Sequence, residues 1–275
     1  LADLPSGKFW EWLGSSPESP TILAFHGFGG SGQDFEPVAK VLDHLGLNWI
    51  APRLSAFAPR HSPDEESYLL REEFLRLIHQ IIEDYGVKRP IVMGYSMGGR
   101  IALQYALCHQ ESVRGLILVG VTPGIRDSSL MLERKHLEDE WIQMIESDGV
   151  SAFQDYWQTL PVVASQVRIP EEVKEAIRNR RRAALPRELI FSLQLFGQGV
   201  FPALWDNISQ LAIPALLVAG ADDEKYLELA HEMQKEMKHG TAEAIPNAGH
   251  TAHLENTPAF AKCCEKFINK LVSEK

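Results

Sequence analysis

Seven short apolar runs of β-forming character punctuate the chain, at residues 9–13, 21–25, 47–51, 90–94, 115–121, 214–219 and 241–245. Runs this short, bounded by turn residues, predict strands, most of them buried. Between them lie longer stretches, at 35–45, 68–85, 97–109, 226–237 and 258–271, whose apolar residues recur at helical spacing. These predict amphipathic helices. Strand and helix alternate, and alternation predicts an α/β fold: a mostly parallel central sheet, reached by right-handed crossovers and covered by helices on both faces.

The alternation lapses between about 122 and 205, where the pattern is helical, charged and interrupted by Pro161, Pro170 and Pro186. A segment that leaves the sheet after one strand and returns before the next should lie over the strands' carboxyl ends, where ligands sit in open α/β sheets. The expected organisation is a core of residues 1–122 and 206–275 with a helical cap, or lid, at 123–205.

Composition narrows the partners. A chain of 275 residues, 45% hydrophobic, is long enough for one large core. Its formal charge of −10 argues against a nucleic-acid surface but leaves room for a small anion held by a local cation cluster. Cys108, Cys263 and Cys264 have neither the number nor the spacing of a disulfide framework or a zinc site, which suits a reducing cytoplasm. No apolar run approaches the roughly 18 residues of a membrane span, and the opening residues through Glu11 lack the basic and apolar regions of a signal peptide. The histidines are scattered without ligand spacing. A cytoplasmic monomer is therefore expected, with no membrane or nucleic-acid partner, no cofactor and no metal.

The candidate chemistry begins at Gly94-Tyr95-Ser96-Met97-Gly98, which follows a predicted strand and opens a predicted helix. In such a strained turn the serine hydroxyl is exposed, and small residues two positions either side admit the neighbouring backbone. The helix N-terminus also aims N–H groups at developing negative charge. His26-Gly27-Phe28-Gly29-Gly30 directly follows another strand. In this fold that loop supplies one oxyanion N–H and the residue after the nucleophile the other, here Phe28 and Met97 through their backbone. His26 itself is expected to order its loop.

Two further strands end in candidate groups: Gly220-Ala221-Asp222-Asp223 and Pro246-Asn247-Ala248-Gly249-His250. The chain order serine, acid, histidine and the common sheet edge make Ser96, an aspartate and His250 a catalytic triad. Periodicity does not separate Asp222 from Asp223, and His253 is expected to pack or bond within the loop. Arg100, four residues beyond Ser96 on a helix, shares its face. Arg126, Arg134, Arg168, Arg178, Arg180, Arg181, Arg182 and Arg187 enrich the cap in cations. Most should be solvated.

Taken together, the runs 26–32, 94–102 and 248–255 resemble the 2-succinyl-6-hydroxy-2,4-cyclohexadiene-1-carboxylate synthases, lyases of menaquinone and phylloquinone synthesis within the α/β-hydrolase superfamily. Tyr95 with Arg100, and the run Ala248-Gly249-His250-Thr251-Ala252-His253-Leu254-Glu255, are the more discriminating parts. The resemblance selects Asp223 as the acid. It implies a pocket for a small multi-carboxylate substrate, with Tyr95, Arg100 and Trp157 as binding residues. Arg134, after the Pro123-Gly124 turn, and Arg181, in the later cap helix, complete it. The acid loop departs from the family in carrying two adjacent aspartates, and Arg181 stands in a denser arginine run than is usual there. The implied reaction is elimination of pyruvate. A carboxylesterase or carbon–carbon hydrolase using the same triad is the alternative, and a non-catalytic small-ligand receptor the third reading.

Overall fold

The apolar runs fold as strands whose successive side chains feed two separate cores. In strand β2 (Thr21–Phe25), Ile22 and Ala24 face one core while Leu23 and Phe25 face the other. The same division holds in β4 (Ile91–Tyr95), β5 (Gly115–Val119) and β6 (Ala215–Gly220). A strand buried on both faces has no polar side to show, so its sequence reads as continuous rather than alternating. The edge strands differ: β1 (Phe9–Trp12) and β7 (Gly240–Ile245) are only partly buried.

The computed structural model describes residues 9–12, 14, 16, 18–54 and 67–273. Leu13, predicted to end the first strand, and the opening residues 1–8 lie outside them. Among the described residues seven strands form one sheet in the order β1-β3-β2-β4-β5-β6-β7, with β3 at Asn48–Pro52. β1 runs antiparallel to β3, and the other neighbours pair parallel. Strand order reverses between β2 and β4, which creates a crevice at their carboxyl ends.

Helices α1 (Glu36–Val41) and α10 (Thr257–Ser273), the latter following the short α9 (Ala252–Glu255), cover one face through Val38, Phe260 and Ile268. Helices α2 (Ser67–Asp84), α3 (Met97–Cys108) and α8 (Glu224–Glu236) cover the other through Ile78, Ile101 and Met233. The stretch predicted as one helix over 35–45 is shorter than expected. After Val41 the chain tightens into a 3-10 turn, with the Leu45 N–H on the Leu42 carbonyl and His44 Nδ1 bonded to the Val41 carbonyl. Gly46, at φ +62°, ends it.

Between β5 and β6 run α4 (Ser128–Ser147), α5 (Gly149–Trp157), a 3-10 segment (Pro161–Arg168), α6 (Glu171–Arg182) and α7 (Pro186–Phe196). Asp127 caps α4 by accepting from the N–H groups of Ser129 and Leu130. Pro161 and Pro186 each open a helical segment, where proline's missing N–H costs nothing. Among the described residues, no helix is long and apolar enough to cross a membrane.

Candidate active site

β4 ends in a turn that holds Ser96 at φ +52° and ψ −113°. A side-chain-bearing residue in this region stores strain, as functional turns often do. Its neighbours must be glycines: a Cβ on Gly94 would run into the backbone of Gly98 and Gly99, and one on Gly98 into the carbonyls of Phe25 and His26. That close approach also seats the His26–Gly30 loop against the start of α3. His26 orders the loop from within. Its Nδ1 bonds the Gly27 carbonyl at 2.9 Å and its Nε2 accepts from the Leu54 N–H at 3.3 Å, so the proton belongs on Nδ1. Burial pushes its pKa down, which keeps the ring neutral.

Three side chains from three strand ends meet above this turn. The Ser96 hydroxyl lies 3.0 Å from His250 Nε2, and His250 Nδ1 lies 2.8 Å from Asp223 Oδ2. With an ionised carboxylate on Nδ1–H, Nε2 is left free to accept the serine proton. Asp222 turns the other way, to Arg168 at 2.6 Å, and is half exposed. The tertiary structure thus separates two aspartates that periodicity leaves equivalent.

A cavity of about 450 Å³ opens onto this group. Ser96, Met97, Phe28, Asp223 and His250 all line it. One wall is aromatic: the Phe28 and Trp157 ring centroids are 5.0 Å apart, and Trp141 meets Trp157 edge-on at 5.3 Å. Arg100, Arg134 and Arg181 line the same space. Arg100 and Arg181 are both buried. Burial lowers the Arg100 pKa to about 10, which still leaves it charged at neutral pH. The other arginines of residues 123–205 go elsewhere: Arg126 lies over Trp205, Arg168 pairs with Asp222, Arg178 with Glu171, Arg180 with Asp34 and Arg182 with Asp155, while Arg187 is exposed.

Tyr95 departs from its expected place as a substrate contact. It is not among the residues lining the cavity: its hydroxyl is 3.1 Å from Thr251 Oγ1, and its ring packs on His250 and His253. The cause is strand alternation, which puts Tyr95 on the same face of β4 as Ile91 and Met93. His253 is fully enclosed beside Phe35, Tyr95 and Phe260, and burial pushes its pKa down to about 4.

Among the lining residues that sequence reasoning missed are the polar Glu138, Gln198, Lys225 and Tyr226, and Trp141 of the aromatic wall. Tyr226 packs on His250 at 4.4 Å between ring centroids, three residues after Asp223 and so one helical turn along. Glu138 stands four residues after Arg134 and pairs with it at 2.8 Å. Helical spacing from the assigned residues would have found both.

The comparisons with known proteins agree with this architecture. Residues 20–257 match the family described as alpha/beta hydrolase fold. A Bacillus subtilis (strain 168) protein, provisionally named 2-succinyl-6-hydroxy-2,4-cyclohexadiene-1-carboxylate synthase, is 30% identical over 92% of each chain. The synthase of that name from Pectobacterium atrosepticum is 28% identical over 94% of this chain and 98% of its own. The solved structure of MenH from S. aureus superposes with a TM-score of 0.87 at 26% identity, over 96% of this chain and 99% of that one. The chain therefore belongs to the α/β-hydrolase fold family and, within it, to the family of the 2-succinyl-6-hydroxy-2,4-cyclohexadiene-1-carboxylate synthases.

Proposed function

We propose that the protein eliminates pyruvate from 2-succinyl-5-enolpyruvyl-6-hydroxy-3-cyclohexene-1-carboxylate to give 2-succinyl-6-hydroxy-2,4-cyclohexadiene-1-carboxylate. One observation carries this reading: a serine–histidine–aspartate relay and three guanidinium groups share one cavity. The substrate brings three carboxylates, on the ring, the succinyl arm and the enolpyruvyl arm. Bidentate arginines suit such groups, whereas a neutral ester gives three cations nothing to bind.

In the proposed mechanism, His250 takes the Ser96 hydroxyl proton while Asp223 holds the imidazole and stabilises its charged form. The Ser96 oxyanion removes the ring proton α to the succinyl carbonyl. The negative charge that develops on the carbonyl oxygen is held by the N–H groups of Phe28 and Met97. As the enolate collapses, a double bond forms from the deprotonated carbon to its ring neighbour, the existing ring double bond shifts toward the oxygen-bearing carbon, and that carbon–oxygen bond breaks, releasing the enolate of pyruvate. That enolate takes the proton carried by His250 and becomes pyruvate. No water is consumed and no acyl-enzyme forms.

In this reading residues 123–205 are a lid that contributes Arg134, Trp157 and Arg181, while Tyr95 supports His250 from behind. The protein acts as a cytoplasmic monomer and needs no cofactor or metal. The test incubates purified protein with the enolpyruvyl substrate and follows pyruvate, with Ser96→Ala as control. Pyruvate release that depends on Ser96 supports the proposal. Hydrolysis of neutral esters without pyruvate release returns the protein to the esterases.

A further inference from the structure

Glu138 is, besides Asp223, the second carboxylate in a cavity that gathers Arg100, Arg134, Arg181 and Lys225. Only 4% of its side chain is exposed, and its oxygens are fully engaged. Oε1 accepts from Arg134 Nε at 2.8 Å and from the Gln198 N–H at 2.9 Å, while Oε2 accepts from the Gly199 N–H at 2.9 Å. A buried carboxylate with three donors is a fixed structural point. The turn it grips is fitted to it: a Cβ on Gly197 would run into Oε2 of Glu138, and one on Gly199 into the backbone of Lys135. Gln198 in turn hydrogen-bonds Tyr226, whose ring packs on His250.

We infer that Glu138 is a positioning residue that fixes the guanidinium of Arg134 for a substrate carboxylate. The bond to Glu138 uses Nε–H and leaves the Nη groups for the ligand. The Arg134 guanidinium also lies over the Trp141 ring, 4.8 Å from its centroid, so a second contact holds the same plane. Charge alone argues in the opposite direction, because a carboxylate beside a polyanion repels it. Positioning and charge therefore predict opposite signs when Glu138 is neutralised.

The inference rests on the proposed polycarboxylate substrate, and the test separates the two. Pyruvate release is measured for the wild type, Glu138→Gln, Arg134→Met and the double variant. Positioning predicts that Glu138→Gln raises KM about tenfold while kcat stays within about threefold, as expected when a binding contact loses its alignment. The double variant should be no worse than Arg134→Met by more than about threefold, since both changes act on one contact. A KM that falls or stays level in Glu138→Gln overturns the inference, as do effects of the two substitutions that multiply. Glu138→Asp keeps the charge but withdraws it by one methylene, and it should raise KM as well. If Glu138→Gln does not fold, that variant decides. If the wild type releases no pyruvate, the substrate reading fails, and calorimetry with citrate as a tricarboxylate probe tests Glu138 by itself. The same ordering of Kd upholds the inference, and equal Kd values end it.

Discussion

Arg100 Nη2 donates to the carbonyl oxygen of Phe196 at 2.6 Å, joining α3, the helix that follows Ser96, to the last residue of α7. Terminal helix carbonyls lack intrahelical partners, and this one is completed by a guanidinium that also lines the cavity. Arg100 further lies over the Phe201 ring, 5.6 Å from its centroid. One side chain therefore both lines the cavity and ties α3 to α7.

Arg100→Met should accordingly do two things. KM for the enolpyruvyl substrate should rise at least about tenfold through loss of a charge-assisted contact. Stability should fall by about 1–3 kcal/mol because the Phe196 carbonyl is left buried without its donor. Pyruvate-release kinetics and urea denaturation read the two effects separately. An unchanged KM removes Arg100 from the binding site.

The two aspartates should behave differently. Asp223→Asn keeps the shape but withdraws the charge that holds the His250 tautomer, and kcat should drop by about 10³ or more. Asp222→Asn loses only a half-exposed ion pair with Arg168. Its kcat should stay within about threefold, since exposed pairs are worth at most about 1 kcal/mol. Equal losses in the two variants would show that the acid has been misassigned.

Gly98→Ala tests the elbow. The new methyl group meets the carbonyls of Phe25 and His26, which are backbone and have little room to yield. The loop carrying Phe28 must then shift away from Met97. Folded protein should retain less than about 1% of wild-type kcat, the scale on which losing an oxyanion donor is felt. Full activity would place the oxyanion donors elsewhere.

Acid should weaken the fold through His253. Its folded-state pKa is depressed to about 4 by burial, against 6.5 when unperturbed. Between those values the unfolded chain binds the extra proton, so stability falls as pH falls through this window and is intact above it. From pH 7 to pH 5 the loss should be about 2 kcal/mol from this group. His253→Phe, a planar ring without a titrating nitrogen, should flatten that part of the profile in urea denaturation. An equally steep profile in the variant assigns the acid sensitivity to other groups.

Much of this was legible in the linear pattern because it depends on local chemistry. Strands buried on both faces must be continuously apolar, a serine in a strained turn needs Gly94 and Gly98, and acid and base follow strands that end at the same sheet edge. Those requirements act over a few residues, so the sequence by itself determined the fold class, the elbow and the order of the candidate triad. Other features depended on where a side chain points once distant segments pack. Only the tertiary structure turned Asp222 out to Arg168 and Asp223 in to His250. It alone drew Tyr95 behind His250 and brought Arg134 of α4 and Arg181 of α6 to the cavity that Arg100 lines. The buried carboxylate of Glu138 became visible the same way, since its donors at 198 and 199 lie 60 and 61 residues further on. Periodicity specifies which face of an element is apolar. The direction of a charge on that element is fixed by the partners it finds across the fold, and no local pattern encodes them.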